Sequence, residues 1–231
     1  MEGKADLDIL AGTEIFRSLP REALEDIWAG GFRKQLPKGS TLFFQDDAVS
    51  ALYVVVVGRL RVSQSTAEGA QVILRYLGPG ELAGYAVLSG GESYPGTVSA
   101  VEDSYLLGWS SDSIHALMGR YPQIALNSVS VLGRRYQETQ LRLRQLSTEK
   151  VERRIAHTLL RLVEQAGRRT PAGIEIAFPL SRQDLAEMAG TTLHTVSRTL
   201  STWEKLGVVV SGRRRIMVCQ PEELAEIAES D

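Results

Sequence analysis

Between Gln35 and Trp109 the apolar residues come in short, dense runs: TLFFQ, ALYVVVV, RLRVSQ, AQVILRYL, TVSAV and SYLLGW. Turn formers separate them, at Pro37-Lys38-Gly39, Gly58-Arg59, Glu68-Gly69, Gly78-Pro79-Gly80 and Gly90-Gly91. Runs of this length and composition predict strands, and their close spacing predicts a small antiparallel barrel or sandwich. Ahead of them, residues 14–31 read as a short helical segment with Pro20 near the start of REALEDIW. After Pro122 the period changes. Ala125, Val129, Leu132, Tyr136, Thr139, Leu143 and Leu146 recur at alternating steps of four and three, the seam of a coiled coil over about three heptads. A helix packed on its own domain is the alternative, but such a helix shows a wider apolar stripe. Here Arg134, Arg135, Gln137, Glu138, Gln140, Arg142 and Arg144 crowd a narrow seam. Val129, Leu132, Tyr136, Leu143 and Leu146, with polar Thr139 among them, therefore predict a parallel homodimer.

Val151 to Gln165 predicts a further amphipathic helix, carried by Ile155, Leu159, Leu162 and Val163, and IEIAF after it reads as a strand. Ser181 followed by Asp184 is a capping box that starts a helix at Arg182. Gly190 suits a tight turn with positive φ, and Thr192 can cap the next helix. In GTTLHTVSRTLSTWEKLG, Val196, Leu200, Trp203 and Leu206 form one helical face, and Gly207 stops it. The opposite face holds His194, Ser197, Arg198, Ser201 and Lys205 and no acid. Two helices of about eight and fourteen residues around a glycine turn make a helix-turn-helix. VVVSGRRRIMVC then reads as a hairpin turning at Ser211-Gly212-Arg213 and carrying three arginines, a wing.

Composition changes this picture only locally. The chain has 231 residues and a formal charge of −2, so no global basic field points to nucleic acid. Between Thr148 and Arg215, however, twelve Lys/Arg face seven acids, and five acids after Arg215 cancel the excess. A basic segment inside a neutral chain fits a local polyanion-binding surface. Double-stranded DNA is the expected partner. Arg198 has the geometry to pair with guanine O6 and N7, and His194, Thr195, Ser197 and Ser201 lie where base edges or phosphates come within reach. Arg182, Thr192, Lys205, Arg213, Arg214 and Arg215 are expected to meet phosphates and set register. Cys219 is the sole cysteine, which excludes an internal disulfide and a four-cysteine iron–sulfur site. No signal segment and no 18-residue apolar stretch is present, so a soluble, cytoplasmic protein away from membranes is expected. No Ser/His/Asp arrangement, metal-ligand cluster or placed carboxylate pair speaks for an enzyme, and no metal site is expected.

With these parts in this order, the chain resembles the cyclic-AMP receptor / fumarate–nitrate reductase regulator superfamily. LPKGSTLFFQDD, ALYVVVVGRLRV, GPGELAGYAVLSGG and TVSAVEDS resemble its β-roll, RRIAHTLLRL resembles the entry to its winged domain, and LSRQDLAEMAGTTLHTVSRTLSTWEKLGVV resembles its DNA-reading motif. The resemblance implies an α+β chain: a β-roll of the cyclic-nucleotide-binding, jelly-roll type over 1–121, a dimerisation helix and hinge over 122–147, and a winged helix-turn-helix over 148–231. It implies a homodimeric transcription regulator reading an inverted repeat, with RNA polymerase as a further partner if it activates. A ligand-binding module whose helix-turn-helix mediates protein contacts is the alternative.

The departures bear on the signal. Nucleotide-binding members carry a Glu after the cassette glycine and an Arg further on; here Gly84 is followed by Tyr85, and the Arg position falls on Tyr94. The residue that greets the nucleotide base matches Thr139, followed by Gln140. An effector pocket is expected around Gly84, Tyr85, Tyr94, Thr97, Arg135 and Thr139, and cyclic AMP is not the expected occupant. Tyr94-Pro95-Gly96-Thr97 looks similar to the branch responding to nitric oxide, which keeps haem a candidate, although the three histidines are poorly placed as axial ligands. In the reading helix Ser197 and Arg198 are kept, while His194 stands where many members carry Glu, so the family half-site does not carry over.

Overall fold

The computed structural model describes residues 2–230 and divides into two compact units, 1–138 and 139–231. In the first, α1 (Glu2–Gly12), a 3-10 turn (Glu14–Phe16) and α2 (Arg21–Ala29) precede eight strands. These are β1 (Phe32–Leu36), β2 (Thr41–Phe43), β3 (Ala51–Val57), β4 (Leu60–Ser65), β5 (Gln71–Leu77), β6 (Leu82–Ala83), β7 (Thr97–Ala100) and β8 (Ser104–Ser110). They form two antiparallel sheets, β1-β8-β3-β6 and β2-β7-β4-β5. Helices α3 (Ser111–Arg120) and α4 (Pro122–Thr148) follow, and the boundary between the units falls within α4.

ALYVVVV shows no polar alternation because β3 is buried on both faces. Ala51, Tyr53 and Val55 join Phe43, Leu60, Val98 and Leu106 in the core between the sheets. Leu52, Val54 and Val56 point the other way, onto Leu10, Phe16, Ile27, Trp109, Ile114, Ile124 and Val131. Trp109 donates its indole N–H to the Ile27 carbonyl at 2.7 Å and meets the Phe16 ring edge-on at 5.4 Å. At about 0.8 kcal/mol per buried CH2, this second core is what fixes the helices on the roll.

The second unit holds α5 (Val151–Ala166), β9 (Gly167–Thr170), β10 (Gly173–Ile176), α6 (Arg182–Ala189), α7 (Leu193–Lys205), β11 (Val209–Gly212), β12 (Arg215–Val218) and α8 (Pro221–Glu229). Its sheet runs β11-β12-β10-β9. Two arginines of α5 tie its helices together by capping carbonyls. Arg153 donates to Ala228, and Arg154 donates to Glu149, Ala189 and Gly190. The α+β class, the roll, the long helix and the helix-turn-helix are thus as the sequence predicts. The departures are α1, α3, α8 and the strand β9, which its pattern did not announce (residues 167–173 read as a loop), and a roll that begins at Phe32 rather than Gln35.

Candidate nucleic-acid interface and sensory positions

Local chemistry sets the reading elements. Ser181 Oγ accepts the Asp184 N–H at 3.0 Å and the Asp184 carboxylate accepts the Ser181 N–H at 2.8 Å, so both halves of the capping box form. Gly190 ends α6 at φ 61°. A Cβ there would stand 2.7 Å from Leu146 Cδ2, so backbone conformation and closeness both call for glycine. Thr192 Oγ1 accepts the Thr195 N–H at 3.2 Å and starts α7. Val196, Leu200 and Trp203 bury one face of α7, each helping to hold the helix in place.

On the other face the groups differ in what they already bind. The side chains of His194, Arg198, Lys205, Arg213 and Arg214 make no hydrogen bond or ion pair among the described residues, and all five are exposed. Ser197 and Ser201 lie half-buried beside them. Thr195 is half-buried with its hydroxyl 3.0 Å from that of Thr192. Arg182 and Arg215 are engaged internally. Arg182 donates to Ser211 Oγ at 2.6 Å and pairs with Glu204 at 3.5 Å, while Glu204 accepts the Ser211 N–H at 2.9 Å. One carboxylate thereby braces α6, α7 and the wing. Arg215 and Arg168 close on buried Glu175, and Arg168 first and Arg215 second hold that carboxyl below the usual range.

The wing turns at Arg213-Arg214, since Gly212 pairs with Arg215. The sequence placed that turn one or two residues earlier. Arg214 adopts φ 58°, a left-handed conformation uncommon for a residue with a side chain. Its carbonyl accepts the Leu180 N–H at 3.1 Å, which anchors the strained turn to the chain entering α6.

In the roll, the expected effector residues separate into two places. Gly84 sits at φ 90°, where a Cβ would stand 2.6 Å from the Ala51 carbonyl and 3.4 Å from the Tyr94 ring. Tyr94 is 1% exposed, stacks on Phe43 at 3.7 Å, accepts the N–H groups of Ser50 and Ala51, and donates to the Ala51 carbonyl. It is a core residue with a satisfied hydroxyl. Tyr85 meets Arg135, whose Nη2 donates to the phenol at 3.2 Å and whose Nη1 pairs with Glu138 at 2.8 Å. Arg75 and Arg135 lie over the Tyr85 ring at 5.2 and 5.7 Å. Burial lowers the Arg75 pKa and the neighbouring Arg135 adds to the effect. Thr97 is elsewhere: its hydroxyl accepts the Gln45 N–H, and it lines a cavity of about 330 Å³ with Lys38, Thr41, Arg61, Ser63 and Ser99. Thr139 is an exposed residue of the second unit. His115 lies 3.2 Å from the Val87 carbonyl, and no metal-holding group of His, Cys, Asp and Glu occurs among the described residues.

Along α4, Ile124 and Val131 face the core, whereas Val129 (70% exposed), Tyr136 (66%), Leu143 (58%) and Leu146 (46%) do not. Leu132 is half-buried. The seam is therefore open on one face of a helix whose other face is already used.

A β-roll joined by a long helix to a winged helix-turn-helix with a cationic reading face defines a transcription regulator of the helix-turn-helix class. Residues 33–121 match the model described as cyclic nucleotide-binding domain, and residues 153–227 match the Crp-like helix-turn-helix domain. The chain is 36% identical over 221 residues to the cyclic AMP receptor protein of Thermus thermophilus, covering 95% of this chain and 98% of that one. To the fumarate and nitrate reduction regulatory protein of Escherichia coli K12 it is 24% identical over 196 residues, 85% and 78% of the two chains. The crystal structure of the Thermus thermophilus catabolite activator protein is similar at TM-score 0.56 and 34% identity, over 94% and 98%. FixK2 of Bradyrhizobium japonicum shares the fold at TM-score 0.76 and 23% identity, over 87% and 98%. The chain belongs to the cyclic-AMP receptor / fumarate–nitrate reductase regulator superfamily of transcription regulators.

Proposed function

We propose that the protein is a cytoplasmic homodimer that reads an inverted-repeat operator through α7 and answers, through its roll, to a signal other than cyclic AMP. The observation that carries the reading is the contrast on α7, where Trp203 and its neighbours are buried while Arg198, His194 and Lys205 stay exposed without an internal partner. The open apolar stripe of α4 supports the dimer, since Val129, Tyr136 and Leu143 would otherwise stay in water. Tyr94, spent on the backbone of β3, supports a signal without the family's phosphate contact. No helix among the described residues is long and apolar enough to cross a membrane. As an activator, such a dimer would also meet RNA polymerase.

Two recognition helices related by a dyad meet successive major grooves, so half-site centres should lie about 10–11 bp apart. Leu143→Asp sets two charges face to face in the seam, at a cost of several kcal/mol. Sedimentation should then show a monomer, and operator binding in a salt titration should collapse to the non-specific level. A dimer that persists, or an unchanged operator affinity, refutes the reading. Unaltered dimers without any salt-dependent DNA binding point instead to a module for protein contacts.

A further inference from the structure

The outer face of the sheet β2-β7-β4-β5 carries a cavity that neither the DNA-reading elements nor the expected effector contacts explain. Leu60, Val62, Val98 and Ala100 turn inward to the core between the sheets, so the alternation of the strands turns Arg61, Ser63, Thr97 and Ser99 outward. Register sets these side by side. Ser99 pairs with both Thr41 and Arg61, and Thr97 pairs with Ser63. All five line the cavity of about 330 Å³, together with Lys38 from the turn before β2.

A polar outer face is ordinary for an antiparallel sheet, because water serves it. Three features set this one apart. Register shifts border it on two strands, between Thr41 and Phe43 on β2 and between Val62 and Ser63 on β4. Such a bulge gives up ladder pairing and re-aims a side chain; without the first, Thr41 would share the inward side of Phe43. The floor is shielded, since Ser63 is 1% exposed although its strand face is the outer one. The donors are unspent. The Thr41 and Ser99 hydroxyls and the Lys38 ammonium make no hydrogen bond or ion pair among the described residues. Ser63 Oγ accepts from Gln71 Nε2 at 3.2 Å and Thr97 Oγ1 accepts the Gln45 N–H at 2.9 Å, which leaves each hydroxyl its own hydrogen to give. No carboxylate lines the cavity. Asp103, which accepts the Lys38 backbone N–H at 2.8 Å, is not part of the wall.

Four hydroxyls and two cations without an acid form a donor set for an oxyanion. The volume falls at the lower end of small-molecule sites, on the order of 300–1,000 Å³, and exceeds what a bare phosphate ion fills. We infer that this face binds a small organic phosphate, a phosphorylated polyol no larger than a pentose phosphate. Its phosphoryl oxygens meet Arg61, Lys38 and the hydroxyls, and its polyol meets the Gln71 amide. The site lies across the sheet from Tyr94 and depends on neither α4 nor α7.

Calorimetry on the full-length chain tests this with ribose 5-phosphate, glycerol 3-phosphate, inorganic phosphate and ribose, and amide shifts locate the binding. At least one of the two organic phosphates should bind in the millimolar range or tighter, weaken as salt is added, and move the amides of Ser63, Thr97 and Ser99 but not that of Tyr85. Inorganic phosphate should bind about tenfold less well, and ribose not at all. Arg61→Gln should lose about tenfold or more in affinity. Lys38→Gln and Ser99→Ala remove groups without internal partners, so each should lose about two- to fivefold with an unchanged melting curve. These two variants keep the test open if Arg61→Gln folds poorly. Silence of both organic phosphates at millimolar concentration overturns the inference. So does ribose or inorganic phosphate binding as well as they do, or an affinity unmoved in both Lys38→Gln and Ser99→Ala. Shifts confined to Tyr85 and its neighbours would place the ligand elsewhere and overturn it too.

Discussion

The exposed face of α7 and the positions of the roll where an effector is expected carry similar residue types, arginines and hydroxyls, in opposite states. On α7, Arg198, Lys205 and His194 have no partner within the described residues. In the roll, the Tyr94 phenol makes hydrogen bonds to the backbone of Ser50 and Ala51, and Tyr85 is held by Arg135. A polar group left without a partner at the surface costs little, because water serves it. The same group in a core must be satisfied, or it costs about 1–3 kcal/mol. On the proposed reading, the unspent groups are where a partner from outside would be met, and the spent ones are residues expected at an effector that the fold uses internally.

The strongest test of that contrast is Tyr94. Truncation to Ala removes a ring stacked on Phe43 and should cost about 3–5 kcal/mol of stability in the roll. Tyr94→Phe keeps the ring but strands the Ser50 and Ala51 N–H groups, at about 1–3 kcal/mol. Thermal unfolding checks both, and cyclic AMP should raise the melting point of neither the natural chain nor the variants. A Tyr94→Phe variant as stable as the parent, or one stabilised by cyclic AMP, would make Tyr94 a ligand-facing group after all.

Arg198 should behave in the opposite way. Arg198→Ala removes an exposed side chain with no internal partner, so stability should change by less than about 0.5 kcal/mol. Operator binding should lose about 1–3 kcal/mol per half-site and relax at one guanine. Binding to randomised operators reads both. Unchanged base preference would break the comparison on the reading side.

The two regions also differ in how far the sequence exposed them. The helix-turn-helix was legible because its signals are local: Ser181 with Asp184, Gly190, Thr192 and Gly207 lie within a few residues of the ends they set. Long-range pairing hid which cations are available. Arg182 finds Glu204 across 22 positions and Arg215 finds Glu175 across 40, so two of the expected phosphate contacts are also structural. Helices α3 and α8 were missed for different reasons. Ser110 closes β8 and caps α3 at once, accepting the Ser113 N–H, so no loop announces the change. PEELAEIAE reads as an acidic tail, yet Leu224 and Ala228 are one turn apart and buried, and Arg153 caps its end. In the roll, the strand texture was plain, but that the Tyr94 ring stacks on Phe43 and its hydroxyl bonds to Ala51 depends on pairings more than forty residues apart.

The wing tip joins both states in one residue and gives the smallest expected effect. Arg214 exposes its guanidinium, yet its backbone stands at φ 58°. A left-handed residue with a Cβ costs roughly 1–2 kcal/mol, and glycine recovers most of that while losing about 0.5–1 through its freer unfolded chain. Arg214→Gly should therefore leave stability level or raise it by up to about 1 kcal/mol. Arg213→Gly, whose residue lacks a positive φ, should only lose stability. Both variants should weaken every DNA sequence alike and flatten the log–log salt slope by about one unit for each phosphate no longer neutralised. Chemical denaturation together with a salt titration separates the two contributions. If Arg214→Gly unfolds more readily than Arg213→Gly, the turn is not strained, and the side chain of Arg214 has an internal role. If it is more stable and binds DNA less well, the arginine is kept at that position against the preference of the backbone, which is what binding to a polyanion explains and folding does not.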